Sequence, residues 1–97
     1  FMADTYYLLG ENLMHLGQLT EAAAVLKEGA GRFPDDALRG WALYEAGSAL
    51  WQVGEAKGAA KTLDTLSSGK AAGFWRRMAR AMKEDINWWQ RHKQLKN

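Results

Sequence analysis

One pattern of small and apolar residues occurs twice, 37 residues apart, and that spacing restricts the chain more than any other feature. Gly10, Gly17, Ala22 and Leu26 in the first copy stand where Gly47, Gly54, Ala59 and Leu63 stand in the second. Leu13 matches Leu50 in the same register. A partial third copy has Trp75, Met78, Ala79 and Met82 at the places of Tyr6, Leu9, Gly10 and Leu13. It then departs, because Ile86 occupies the place of the turn glycine. Repetition on this length scale marks stacked units, each of which needs its neighbour to bury an apolar face.

The repeating unit is helical. Apolar residues recur at spacings of three and four, and no stretch alternates with period two. The pattern predicts helices over residues 3–16, 19–30, 36–53, 55–67 and 71–94. Gly17 and Gly54 are natural left-handed caps for the first and third. Gly29, Gly31 and Pro34 are expected to stop the second. Asp35 and Asp36 are expected to cap the third and to place negative charge at its start. The turn Ser67-Ser68-Gly69 ends the fourth. Connections this short set successive helices antiparallel, and such local contacts favour fast folding.

Segment 6–34 also meets a known consensus, W-x2-L-G-x2-Y, then A-x3-F, then P. Tyr6 takes the Trp place, Leu9-Gly10 the L-G pair, and Leu13 the Tyr place. Ala22 and Leu26 take the A-x3-F places, Gly29 a small-residue place and Pro34 the closing proline. In the second copy Leu43, Ala46, Gly47 and Leu50 fill the first-helix places. The sequence therefore resembles the tetratricopeptide repeat family over residues 3–85. The period exceeds the usual length of about 34 residues, which puts the extra residues in the loop around Arg32–Leu38.

The resemblance implies an all-α fold in which antiparallel helix–turn–helix repeats wind into a right-handed α–α superhelix of about five helices. Repeat one is expected over 3–36, repeat two over 37–70 and a capping helix over 71–97, all in a single domain. Small residues at Gly10, Gly47 and Ala79, met by Ala22 and Ala59, let paired helices approach closely. A stripe of Trp75, Met78, Met82, Ile86 and Trp89 is expected to cover the second repeat, which leaves Trp88 on the margin. Two repeats and a cap lie near the lower limit for a stable stack. With Met at position 2 rather than 1, a longer parent chain is the expectation.

Composition narrows the function classes. The 97 residues contain no cysteine, so disulfides, thiolate metal sites and thiol nucleophiles are excluded. No apolar run approaches the roughly 20 residues needed to span a bilayer. No signal peptide is visible, and cytoplasmic and periplasmic settings both stay open. The net charge of +2 is unevenly spread. Residues 1–71 hold six Lys/Arg against nine Asp/Glu, and residues 72–97 hold seven against two. The glycine-rich stretches lack P-loop spacing, Glu84-Asp85 implies no pocket, and His15 and His92 have no partners at metal-ligand spacing. Neither an enzyme, a cofactor nor a metal is expected.

In the tetratricopeptide family the first helix of each pair lines a concave groove that holds a peptide. The resemblance places Tyr7, Glu11, Met14 and His15 there from the first copy. Trp41, Tyr44, Ser48 and Trp51 come from the second, and Arg76, Arg80 and Lys83 from the third. Aromatic rings and guanidiniums of this kind often dominate binding energy, and the arginines suit an acidic or carboxylate-terminated segment. Trp41 and Trp51 packed between helices, and Arg76, Arg77 and Arg80 as a solvated cap, are the plainer readings. The family's two-carboxylate clamp would fall on Tyr7, Glu11, Glu45, Gly73 and Arg77, of which only Arg77 fits. The leading expectation is a protein- or peptide-binding scaffold in a larger, bacterial assembly. Self-association as a dimer or filament is the alternative. Charge-driven contact of residues 76–96 with nucleic acid or an anionic membrane ranks below both.

Overall fold

A computed structural model describes residues 2–69 and 71–93. The described residues form five helices: α1 (Ala3–His15), α2 (Leu19–Arg32), α3 (Arg39–Gln52), α4 (Ala56–Ser67) and α5 (Gly73–His92). Each packs against the next in sequence, and α3 also meets α5. The fold is all-α and repeat-like, with no strand among the described residues. Its 47 × 30 × 16 Å extent leaves room for two helical layers and no third.

The repeat is visible in the hydrogen bonds. At the end of α1, Gly17 has φ +80°. Its N–H donates to the Met14 carbonyl at 3.0 Å, and the Gln18 N–H reaches back to Leu13 at 2.9 Å. At the end of α3, Gly54 has φ +85°. Its N–H donates to Trp51 at 3.1 Å, and that of Glu55 to Leu50 at 2.9 Å. These are the same Schellman cap, and each satisfies carbonyls that a helix end leaves open.

The close approaches recur in step with the caps. A Cβ on Gly10 would lie 2.5 Å from Leu26 Cδ2, and one on Gly47 would lie 2.7 Å from Leu63 Cδ2. Leu26 and Leu63 are fully buried. Alanine supplies most of the remaining interior: Ala22, Ala23, Ala42, Ala46, Ala49, Ala59 and Ala79 are all buried. Two core clusters result, one centred on Tyr7, Leu26 and Ala46, the other on Leu43, Leu63, Leu66 and Ile86.

Four expectations change. Helix α2 runs through Gly29 and Gly31 to Arg32. Gly29 is a packing residue instead of a stop, since a Cβ there would meet Tyr6 Cβ at 2.7 Å. Helix α3 starts at Arg39, not near 36. The Asp36 carboxylate accepts from the Leu38 N–H at 2.8 Å, a local Asx turn ahead of the helix that uses up the expected cap. Helix α5 starts at Gly73, and its expected end at 94 lies outside the described residues. Lastly, the seam of α5 is Trp75, Ala79, Met82 and Ile86, while Met78 and Trp89 are just over a third exposed and lie outside it. Met78 sits at the place of Leu9, itself exposed in the first copy. Trp89 sits near the end of the 20-residue α5, where its ring meets that of Trp88 edge-on at 5.3 Å.

Candidate functional site: the groove between α1 and α3

Asp4, Leu8 and Glu11 follow one another at four and three residues along α1, so they share a face, with Tyr7 beside them. Leu38 and Trp41 stand one turn apart where α3 begins. Together these six residues line a mostly apolar open groove of about 490 Å³. The Tyr7 and Trp41 rings meet edge-on, with centroids 6.0 Å apart and planes at 79°. That contact joins the two first helices of successive pairs at the groove wall. Leu8 is 62% exposed, and Leu38 and Glu11 are also open to solvent.

Tyr7 is only 3% exposed. Its hydroxyl has no hydrogen-bond partner among the described residues. Burial raises the phenol pKa, the Asp36 charge adds to this, and Arg39 opposes it. One turn beyond Trp41 on α3 lies half-buried Glu45. Burial raises its carboxyl pKa, and the negative charge of Glu11 raises it further. Glu11 and Glu45 are therefore near enough to repel across the gap between α1 and α3. Among the described residues, no ion pair neutralises Asp4, Glu11 or Glu45.

The other residues expected at the groove are dispersed. Met14 packs against the first core cluster. Tyr44 lies against Trp75, with centroids 5.5 Å apart, in the seam between α3 and α5. Trp51 is half-buried against the second cluster. The Ser48 hydroxyl accepts from Gln52 Nε2 at 3.2 Å. Lys83 turns to α4 and pairs with Asp64. His15, Arg76 and Arg80 are exposed and do not line the groove. His92 stacks on Trp88 at 4.3 Å, and its Nδ1 lies 2.8 Å from the Trp88 carbonyl oxygen.

The structure thus brings Tyr7, Glu11 and Trp41 together. It adds Asp4, Leu8, Leu38 and, beyond them, Glu45. The face shared by Asp4, Leu8 and Glu11 could be read from spacing alone. Leu38 could not, because it depends on where α3 starts. A second cleft of about 350 Å³ lies where Asp35, Asp36 and Arg39 face Ala71, Ala72 and Trp75. Among the described residues no group of three His, Cys, Asp or Glu side chains is arranged to hold a metal ion. No described helix is long and apolar enough to cross a membrane. Comparison with protein-family models, with curated proteins and with solved structures finds no match for the chain.

Proposed function

We propose that the chain is a non-enzymatic protein-binding module of tetratricopeptide-like build, which holds an extended segment of a partner between α1 and α3. The observation that carries this reading is the groove itself: an apolar trough with two aromatic rings at its wall, two exposed leucines and carboxylates on its rim. Concave, largely apolar surfaces with a few polar groups are the usual form of binding sites. The tetratricopeptide-like reading draws support from the recurrence of the Gly–Leu contact and the Schellman cap at 37 residues. A displayed peptide library selected on the wild type and on a Leu8→Ser, Leu38→Ser variant tests the proposal. Both leucines are exposed, so the variant keeps the fold. A motif enriched on the wild type alone is the expected result. Equal enrichment on both proteins removes the groove from the account.

Self-association is the second reading, favoured by exposed Leu9 on α1 and exposed Met2 and Leu16 at its two ends. Scattered exposed apolar residues are ordinary, which ranks it below the groove. A molecular mass independent of concentration in light scattering contradicts it.

A further inference from the structure

Helix α5 carries two parallel stripes. Trp75, Ala79, Met82 and Ile86 form the buried seam. Beside it, Phe74, Met78, Ala81, Asp85 and Trp88 follow one another at spacings of four and three, so they share a second face. That face runs about 21 Å from Phe74 to Trp88. It is open: Phe74 is 52% exposed and Trp88 47%, and Met78, Ala81 and Asp85 are exposed too. In α3 the matching places hold Ala42, Ala46 and Ala49. All three are fully buried, in one cluster with Ala23 and Leu26 of α2. The face that α3 uses to meet another helix is therefore bare on α5, and it carries larger side chains. The rings at its two ends are held in place. Phe74 meets Trp75 edge-on with centroids 4.9 Å apart, and Trp88 stacks on His92 at 4.3 Å. Rings fixed in this way lose little freedom on docking, and Trp is prominent among the residues that dominate interfaces.

Charge decides what fits there. Arg77 flanks the stripe and Asp85 lies in it. Both are exposed, and neither is in an ion pair among the described residues. Ala81, the smallest residue of the stripe, stands at its centre. It is four residues from both Arg77 and Asp85, and seven from both Phe74 and Trp88. A second α5 crossing antiparallel over Ala81 therefore faces Arg77 with Asp85 and Phe74 with Trp88, twice each by symmetry. A parallel crossing would set each charge beside its like. A lipid surface fits less well, because Asp85 would carry a carboxylate into the apolar layer. We propose that two copies of the chain pair through α5, antiparallel about Ala81, with Arg77 of each copy against Asp85 of the other and Phe74 against Trp88. The proposal rests on the self-association reading above and moves its contact from α1 to α5. No described residue of α5 lines the groove between α1 and α3, so both copies keep it.

Sedimentation velocity of wild type, Trp88→Ser, Leu9→Ser, Arg77→Glu and Asp85→Arg tests the pairing. All five positions of change are exposed, so the variants keep the fold. One helix pair is a small interface, so the wild-type mass is expected to rise toward that of a dimer over roughly 1–100 µM. Arg77→Glu and Asp85→Arg should each weaken the dimer about tenfold, because symmetry reverses two exposed charge pairs at once. An equal mixture of those two variants should pair as tightly as wild type, since each then meets its opposite charge. Trp88→Ser should weaken the dimer, and Leu9→Ser should leave it unchanged. A wild-type monomer at every concentration overturns self-association altogether. A dimer that Leu9→Ser abolishes and Trp88→Ser spares returns the contact to α1 and overturns the α5 pairing alone. A mixture no tighter than its two components overturns the antiparallel arrangement, and the proposal with it. A monomeric wild type that floats with vesicles of phosphatidylserine and phosphatidylcholine assigns the stripe to a membrane surface, and also overturns the proposal.

Discussion

Gly47 and Gly58 offer the same substitution in neighbouring helices with opposite expected outcomes. Replacing a helical glycine by alanine gains about 1 kcal/mol in propensity. At Gly58 nothing opposes the gain, since the new Cβ would meet Leu50 Cδ1 at 3.6 Å, an ordinary contact. At Gly47 the Cβ would lie 2.7 Å from Leu63 Cδ2 and 2.8 Å from Leu63 Cγ. Leu63 is fully buried, and close-packed interiors offer few voids for a side chain to turn into. Overpacking of this kind costs about 1–3 kcal/mol. Gly58→Ala should therefore stabilise, and Gly47→Ala should fall below it by about 1–3 kcal/mol, or roughly 5–15 °C in Tm for a domain of this size. Thermal and urea unfolding followed by far-UV circular dichroism read the difference. Leu63→Ala supplies the internal control: it costs about 2–5 kcal/mol by itself, yet in that background Gly47→Ala should no longer destabilise. A Gly47→Ala protein as stable as Gly58→Ala would refute the claim that paired helices meet through this glycine.

Gly17→Ala and Gly54→Ala put a Cβ on left-handed backbone with open space around it, so each should cost about 1 kcal/mol of strain, seen as matched shifts in urea midpoint. Ile86→Ala removes the last fully buried anchor of α5 and should cost about 2–5 kcal/mol. Hydrogen exchange should show protection lost first in the C-terminal half of that helix. Glu45→Gln addresses charge. Because the folded carboxyl pKa is raised above 4.5, the folded state binds the proton more tightly than the unfolded chain. That contribution to stability is lost as pH rises through the raised value. The variant should be more stable than wild type at pH 7 by roughly 0.3 kcal/mol. The gain should vanish below about pH 4, where both states are protonated, as urea titrations at the two pH values will show.

The fold was legible because its determinants are local and doubled. Gly17 and Gly54 mark their turns by residue type, and Gly10 with Leu26 predicts the contact that Gly47 repeats with Leu63. Where a residue serves packing and punctuation alike, sequence misleads: Gly29 reads as a stop, but Tyr6 occupies the space that a side chain would need. Asp36 reads as a helix cap, yet an Asx turn claims its carboxylate three residues early. The groove was legible in part. Tyr7, Glu11 and Trp41 come from the repeat register, whereas Leu38 depends on the true start of α3. The tetratricopeptide resemblance also puts Tyr44 and Trp51 in the groove, whereas Tyr44 packs on Trp75 of α5 and Trp51 on the second core cluster. The burial of Tyr7, and the lack of an ion pair at Glu45 among the described residues, depend on how far α1 and α3 stand apart, which no spacing encodes.

The central claim is that a partner lies between α1 and α3. The most direct test is a nitrogen-15 chemical-shift map of the domain titrated with a peptide recovered by selection. Shifts are expected to concentrate at Asp4, Tyr7, Leu8, Glu11, Leu38 and the Trp41 indole N–H, which line the groove, with α4 and the outer face of α2 unmoved. Shifts concentrated on α2 and α4, or on the outer face of α5, would contradict it.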